Sequence, residues 1–123
     1  MNRAPIYRIA VVLVGCLTIL QGASFAETPE ELIKIAQSWD GKMAPEKAVP
    51  LLKQIIELLK KEKPGTLLHN MFAQLATNLE FVNEIDEADH TYSQWSDSVT
   101  LTDGKDSYAH AVVLVKWGML LVT

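Results

Sequence analysis

Two aspartates and a histidine lie close together in the sequence and are the first candidates for metal binding. Asp86 and His90 are four residues apart, so on a helix they share one face, with Asp89 beside them. Such a pair offers two ligands to a divalent cation, whereas structural and catalytic sites need three or four protein or solvent ligands. We therefore expect solvated charges on a helix surface and no bound metal.

Nucleophilic catalysis has little support in the sequence. Residues 27–123 contain no cysteine, and none of the serines there lies in a glycine-flanked elbow. The chain also lacks a glycine-rich phosphate loop and a His-Glu-x-x-His motif. His69 and His110 lie near the starts of two predicted helices and could face each other, but polar side chains are common at helix starts. We expect no enzyme activity and no cofactor.

The N-terminal segment 1–26 has the layout of a secretory signal peptide. Two arginines precede a mostly apolar run over 9–20, and a short polar exit ends at Ala26 with small residues where a signal peptidase reads. The apolar run is short for a membrane span, which needs about 20 residues. We expect cleavage after Ala26 and export of 27–123 to the periplasm or the extracellular space. A retained membrane anchor is the alternative.

A possible lipidation site complicates this prediction. Residues 13–16 read Leu-Val-Gly-Cys, which resembles the lipobox of bacterial lipoproteins, and Cys16 would then be acylated. Against this, the apolar run continues over 17–20, where a lipoprotein normally becomes polar. Envelope anchoring through Cys16 therefore stays an alternative to cleavage, and membrane contact is expected only if Cys16 is acylated or the signal is uncleaved.

The charge balance excludes some classes of partner. Cleavage removes two of the 11 basic residues and none of the 15 acidic ones, so the formal charge changes from −4 to −6. A moderately acidic domain without a basic run is a poor ligand for nucleic acid or anionic lipid. Without a disulfide, the domain must depend on its hydrophobic core.

Helix signals divide the exported region into five predicted helices. Thr28 and Pro29 form a typical helix start, and Gly41 marks the end of the first helix. Pro50 falls inside the second helix and is expected to bend it. The expected bounds are 28–40, 45–63, 66–82, 86–99 and 106 to the end, with a turn at 102–104.

The apolar residues of these helices repeat at a fixed interval. One set recurs forty residues later with apolar residues at every position, and a partial third set begins after a further forty-two. A period in this range is typical of stacked helical hairpins, each burying one face against the next. The sets are Leu32, Ile35, Ala36, Trp39, Ala48, Leu52 and Ile55; Phe72, Leu75, Ala76, Leu79, Ala88, Tyr92 and Trp95; and Leu114, Trp117, Gly118 and Leu121.

This pattern resembles the tetratricopeptide repeat (TPR) family, in particular its longer kinesin-light-chain-like variety. The first helix of that motif reads large-x2-large-small-x2-large, as in Phe72 to Leu79, and the second reads small-x3-aromatic, as in Ala88 and Tyr92. A proline two residues after the small residue, like Pro50, is common in the longer variety. The resemblance implies an all-α fold, a short TPR-like superhelix of about five helices in antiparallel hairpins.

Two features of the sequence depart from the family pattern. Trp95 stands where the family prefers a small residue, and the third repeat lacks its second helix. An unrelated small helical bundle whose apolar faces happen to align is the alternative. The three tryptophans fall at repeat positions, and we expect them to fill the core rather than to form an aromatic ligand cage.

The resemblance also implies which residues line a partner-binding groove. In TPR proteins the groove is lined by first-helix side chains that lie between the core positions. The carboxylate-clamp pattern of some members is not matched, because Ile33 and Val112 occupy clamp positions. By position, the groove residues are Ile33, Gln37 and Asp40; Ala73, Thr77 and Glu80; and Val112, Val115 and Met119.

The last predicted helix is apolar on nearly every side. Residues 112–123 contain Lys116 as their single charge, whereas repeat arrays usually end on a helix with a polar face. Three explanations fit this composition: docking onto a second copy, docking of a partner's helix, or truncation of a longer array. Each predicts poor solubility as a monomer.

The sequence therefore predicts an exported TPR-like protein–protein interaction module with a protein or peptide partner. A structural subunit that forms homodimers through the last helix is the main alternative. A truncated fragment of a longer array and an accessory subunit of an enzyme are also open. A groove of this composition would bind by burying apolar surface, so binding should depend only weakly on salt.

Overall fold

The structure, a computed structural model, describes residues 28–62 and 65–122, and every regular element in these ranges is an α-helix. The all-α prediction is therefore confirmed. The predicted signal peptide 1–26, with Cys16, lies outside the described residues. The five helices are α1 (Pro29–Gln37), α2 (Pro45–Glu62), α3 (Thr66–Phe81), α4 (Ile85–Asp103) and α5 (Tyr108–Leu121).

Helix α1 begins as predicted and ends earlier. Thr28 forms a capping box: its hydroxyl accepts from the backbone N–H of Glu31, and the Glu31 carboxylate accepts from the backbone N–H of Thr28. The predicted end at Asp40 was three residues too late. The Ser38 hydroxyl donates to the carbonyl of Lys34 and terminates the helix there. Asp40 consequently lies in the following loop.

The connection between α3 and α4 is a Schellman motif. The backbone N–H of Asn83 donates to the carbonyl of Glu80, and that of Glu84 donates to the carbonyl of Leu79. Asn83 has a φ of 65°, and asparagine tolerates this left-handed conformation better than most non-glycine residues. This tight turn brings α4 back along α3.

Helix α4 is longer than the sequence indicated, and the expected turn at 102–104 is wrong. Thr102 and Asp103 belong to the helix, and the Thr102 hydroxyl donates to the carbonyl of Ser98 one turn earlier. Gly104, with a φ of 94°, ends the helix. Helix α5 then begins after Ser107, whose hydroxyl accepts from the backbone N–H of His110.

Each helix packs against the next along the chain, and α1 also touches α3. Side-chain contacts between α4 and α5 run in opposite order along the two helices, because Ser96 meets His110 and Asp89 meets Trp117. The α4–α5 hairpin is therefore antiparallel.

Helices α3 and α4 form a second antiparallel hairpin. His69, near the start of α3, contacts Ser98 in the second half of α4. Glu80, near the end of α3, contacts Tyr92 in the first half of α4. The order of these contacts is reversed between the two helices, as it is between α4 and α5.

The small residues of the repeat are buried between the packed helices. Ala48, Ala76 and Ala88 are fully buried, and Ala36 is nearly so. Alanine at these positions allows neighbouring helices to approach closely while losing little side-chain entropy. Trp95 is buried too, and its ring stacks on a neighbouring tyrosine of α4 with centroids 6.0 Å apart. None of the described helices is long and apolar enough to span a membrane.

Candidate protein-binding surfaces

Most of the exposed large apolar side chains in the described part of the chain lie on one side of α5. We call it the outer face of α5 and define it by exposed apolar residues of that helix and its C-cap. At 100° per residue these positions cover roughly half the helix circumference, opposite the buried Val113 and Leu120. The outer face consists of Tyr108, Leu114, Val115, Met119, Leu121 and Val122, which are between 48% and 86% exposed.

Polar contacts near both ends of α5 hold it in place on α4. Near its start, the His110 Nδ1–H donates to the Lys105 carbonyl at 2.7 Å, which leaves Nε2 to accept from the Ser96 hydroxyl at 2.9 Å. Near its end, the Trp117 indole N–H donates to the Asp89 carboxylate at 2.7 Å. The helix is therefore fixed in one orientation, with its outer face toward solvent.

Matched repeat positions allow the exposure of side chains on α5 to be compared with that on α3. Leu79 of α3 and Leu121 of α5 occupy the same repeat position, yet Leu79 is 1% exposed and Leu121 is 66% exposed. Phe72 and Leu114 give the same contrast, with 1% against 48% exposed. Helix α3 packs on both α2 and α4, whereas among the described helices α5 packs substantially only on α4. The uncovered residues of α5 are thus those that a further helix covers in α3.

The space beside Gly118 is also open, as expected for an uncovered helix face. Ala76, its counterpart in α3, is fully buried in the core. A Cβ atom built on Gly118 would meet nothing within 4 Å. A second helix can therefore approach the α5 backbone closely at this position.

The nine predicted groove residues have different surroundings. Ile33 and Ala73 are partly buried against the core, and Val112 is half-buried. The remaining positions that project into solvent are Gln37, Asp40, Thr77, Val115 and Met119.

Three polar members of this predicted groove already have partners within the chain. The Asp40 carboxylate accepts from the backbone N–H of Lys42. The Thr77 hydroxyl donates to the carbonyl of Ala73 in its own helix.

Glu80 accepts a 2.7 Å hydrogen bond from the Tyr92 hydroxyl. Burial and this carboxylate together raise the pKa of Tyr92 well above its ordinary value, so the phenol stays protonated and keeps donating to Glu80. Glu80 therefore links α3 to α4, and Val115 and Met119 are the exposed large apolar members of the predicted set.

A concave region between α2 and α4, above α3, was not predicted from the sequence. It contains two pockets of about 320 and 350 Å³ that share Gln94. The Lys53 ammonium and the Glu87 carboxylate bridge this region at 2.8 Å. Its apolar floor includes Leu68 and Leu75, which are both buried. No pattern in the sequence shows that a concave region lies above them.

The histidines have a different arrangement from the one considered from sequence. His69 and His110 do not pair with each other: His69 contacts Ser98 at 3.1 Å, and His110 contacts Ser96. Burial lowers the pKa of His69, although the nearby Asp103 carboxylate and a hydrogen bond with the backbone of Ser98 oppose this shift. The imidazole is consequently neutral at pH 7.

The contact between His69 and Ser98 has the distance expected of a base and a nucleophile, and Ser98 lines the 320 Å³ pocket. Ser98 nevertheless lies well inside α4, where backbone N–H groups are bonded within the helix. Its own segment therefore supplies no oxyanion donors, which acyl transfer requires. The contact is best understood as a polar link between α3 and α4.

Metal binding gains no support from the described part of the chain, where no group of three or more potential ligands occurs. Asp89, one of the three residues considered from sequence, accepts the Trp117 indole N–H. Its role is to anchor α5.

Comparisons with known proteins give no family or relative for this chain: no family model, no curated protein and no solved structure matches it.

Proposed function

We propose that this chain is a non-enzymatic, exported protein–protein interaction module built from TPR-like helical hairpins. The single observation that carries the proposal is the outer face of α5, an apolar surface that spans about half the helix. Contiguous exposed apolar surface on a small domain is typical of a protein contact site. The resemblance of the repeat to the TPR family favours the same class of function.

The polar anchors of α5 favour a binding role for its outer face. Its polar anchors to α4, through His110 and Trp117, hold the outer face in one orientation before any partner arrives. Preorganisation of this kind reduces the conformational entropy lost on association. The predicted groove residues Val115 and Met119 belong to this face, so the groove expected from sequence and the exposed helix share part of one surface.

Self-association is a second candidate, because two copies could bury their apolar outer faces against each other across a two-fold axis. The chain would then be a structural subunit whose outer face is covered by its twin.

Light scattering coupled to size-exclusion chromatography, over a range of concentrations, tests the proposal. The variant Leu114→Gln/Leu121→Gln places two polar groups on the outer face, and Leu101→Gln is the matched control because Leu101 is 88% exposed on α4. We expect the wild type and the control to associate or precipitate as concentration rises, and the double variant to stay monomeric and more soluble. Equal size and solubility for all three would contradict the proposal.

A further inference from the structure

The methionines of the described part of the chain differ widely in their access to solvent. Met71 of α3 is 2% exposed, and Met43, in the loop before α2, is partly buried against the core. Met119 of α5, by contrast, is 62% exposed. Oxidation of a thioether requires that the oxidant reach the sulfur atom, so the rate follows exposure. Among these three methionines, Met119 is therefore the one that a dissolved oxidant reaches first.

Met119 lies among other exposed apolar side chains of the outer face of α5. Val115 and Val122 are four residues before it and three residues after it, so they share its side of the helix, and they are 62% and 83% exposed. The Met119 thioether contributes an unbranched, flexible apolar group to this surface. A polar group created at this position would consequently interrupt the apolar surface.

We propose that Met119 is a reversible oxidation site that controls the outer face of α5. Hydrogen peroxide transfers one oxygen atom to the thioether sulfur, which becomes a sulfoxide, and the peroxide is reduced to water. Burying the polar sulfoxide in an apolar contact is unfavourable unless the other surface supplies a hydrogen bond, so oxidation weakens association through this face. This inference rests on the proposed function and adds a regulation of the same surface.

The modification can be reversed. Methionine sulfoxide reductases, one for each sulfoxide epimer, return the sulfur to the thioether. Two thiols are oxidised to a disulfide in this step, and the sulfoxide oxygen leaves as water. Reversal by these enzymes distinguishes the sulfoxide from other oxidative damage to the chain.

The first experiment measures the rate of oxidation at each methionine. The full chain carries Cys16→Ser, so that peroxide cannot join two copies through a disulfide. Hydrogen peroxide is added at low protein concentration, and peptide mass spectrometry follows the sulfoxide at each position, while circular dichroism verifies that the helices are retained. We expect Met119 to react at least about tenfold faster than Met71, because their exposed fractions differ by more than that. Equal rates in the folded protein would overturn the inference.

The second experiment measures the effect of the sulfoxide on the surface. Light scattering coupled to size-exclusion chromatography follows association, and hydrophobic-interaction chromatography follows the apolar character of the monomer surface. We expect oxidation to move association to at least about tenfold higher protein concentration and to shorten the retention time. Treatment with the reductases should restore both values. The variant Met119→Gln should resemble the oxidised protein without any peroxide.

Two further variants assign the effect to this sulfur atom. Met119→Leu has an apolar side chain of similar size and no thioether, so its association and retention should be the same before and after peroxide. Met43→Leu is the matched control, because it removes a different methionine and should leave the response to peroxide intact. A response of Met119→Leu as large as that of the wild type would overturn the inference.

Failure of this inference differs from failure of the proposed function. A wild type that is monomeric at every concentration would contradict the proposed function, whereas the oxidation rates and the retention times would still test the role of Met119. A wild type that associates equally before and after complete oxidation of Met119 would overturn the inference and leave the proposed function intact.

Discussion

A matched pair of leucine substitutions tests whether the outer face of α5 is uncovered in solution. Positions 79 and 121 are both leucines within helices and occupy the same repeat position. They differ in exposure: Leu79 is 1% exposed and Leu121 is 66% exposed. Because alanine is at least as good a helix former as leucine, Leu→Ala at both sites reports mainly on side-chain burial. Any difference between the variants therefore measures the contacts around each side chain.

The expected magnitudes follow from these exposures. Leu79→Ala removes a fully buried side chain and leaves a cavity, which costs about 3–4 kcal/mol of unfolding free energy. Leu121 buries about a third of its surface, so Leu121→Ala forfeits about a third of the 1.5–3 kcal/mol for a fully buried leucine, or less than about 1 kcal/mol. For a domain of this size, the first change lowers the Tm by more than about 10 °C and the second by a few degrees.

Urea titration followed by circular dichroism at low protein concentration measures both values, with the slope m used to verify that the unfolding transition is unchanged. A loss of more than about 2 kcal/mol for Leu121→Ala, similar to that for Leu79→Ala, would refute the reasoning. The Leu121 side chain would then be buried in solution against another surface.

Three further predictions concern pH, a partly buried hydrogen bond and salt. Burial lowers the pKa of His69 below its ordinary 6.5, so the unfolded chain takes up the proton first as pH falls, and the folded state loses stability below about pH 6.5. The variant His69→Gln should therefore show a smaller decrease in urea midpoint between pH 7 and pH 5 than the wild type. An equal decrease in both proteins would contradict this. Tyr92→Phe removes the hydrogen bond to Glu80 and should cost about 1–2 kcal/mol in the same urea assay, whereas a neutral result would show that the bond adds no stability. Association through the outer face of α5 should change less than about threefold between low and high salt, because apolar burial dominates and exposed charge pairs are screened; a much steeper dependence would indicate an electrostatic interface.

The sequence predicted the helices well where the relevant interactions are local. The capping residues of α1 and the apolar spacing of α3 depend on neighbours within a turn or two, so the cap at Thr28 and the core position of Leu75 follow from the sequence alone. Helix ends were less predictable. The end of α4 is determined by Gly104, whereas the earlier residues Thr102 and Asp103 suggest a turn by composition alone.

The candidate site was predictable in part. The apolar composition of 112–122 indicated an unpartnered helix, and the repeat placed Leu114 and Leu121 on it. The polar anchors could not be predicted, because the contacts of Trp117 with Asp89 and of His110 with Ser96 depend on how two helices pack in space. The concave region between α2 and α4 was missed for the same reason.

The most direct test of the central claim is the rate of thiol labelling at position 119. In a Cys16→Ser background, Met119→Cys places a single thiol on the outer face, and Leu101→Cys places one on an exposed part of α4. The account predicts rapid labelling of both thiols at low protein concentration. Slow labelling at position 119 beside rapid labelling at position 101 would contradict the claim that α5 presents an open apolar surface.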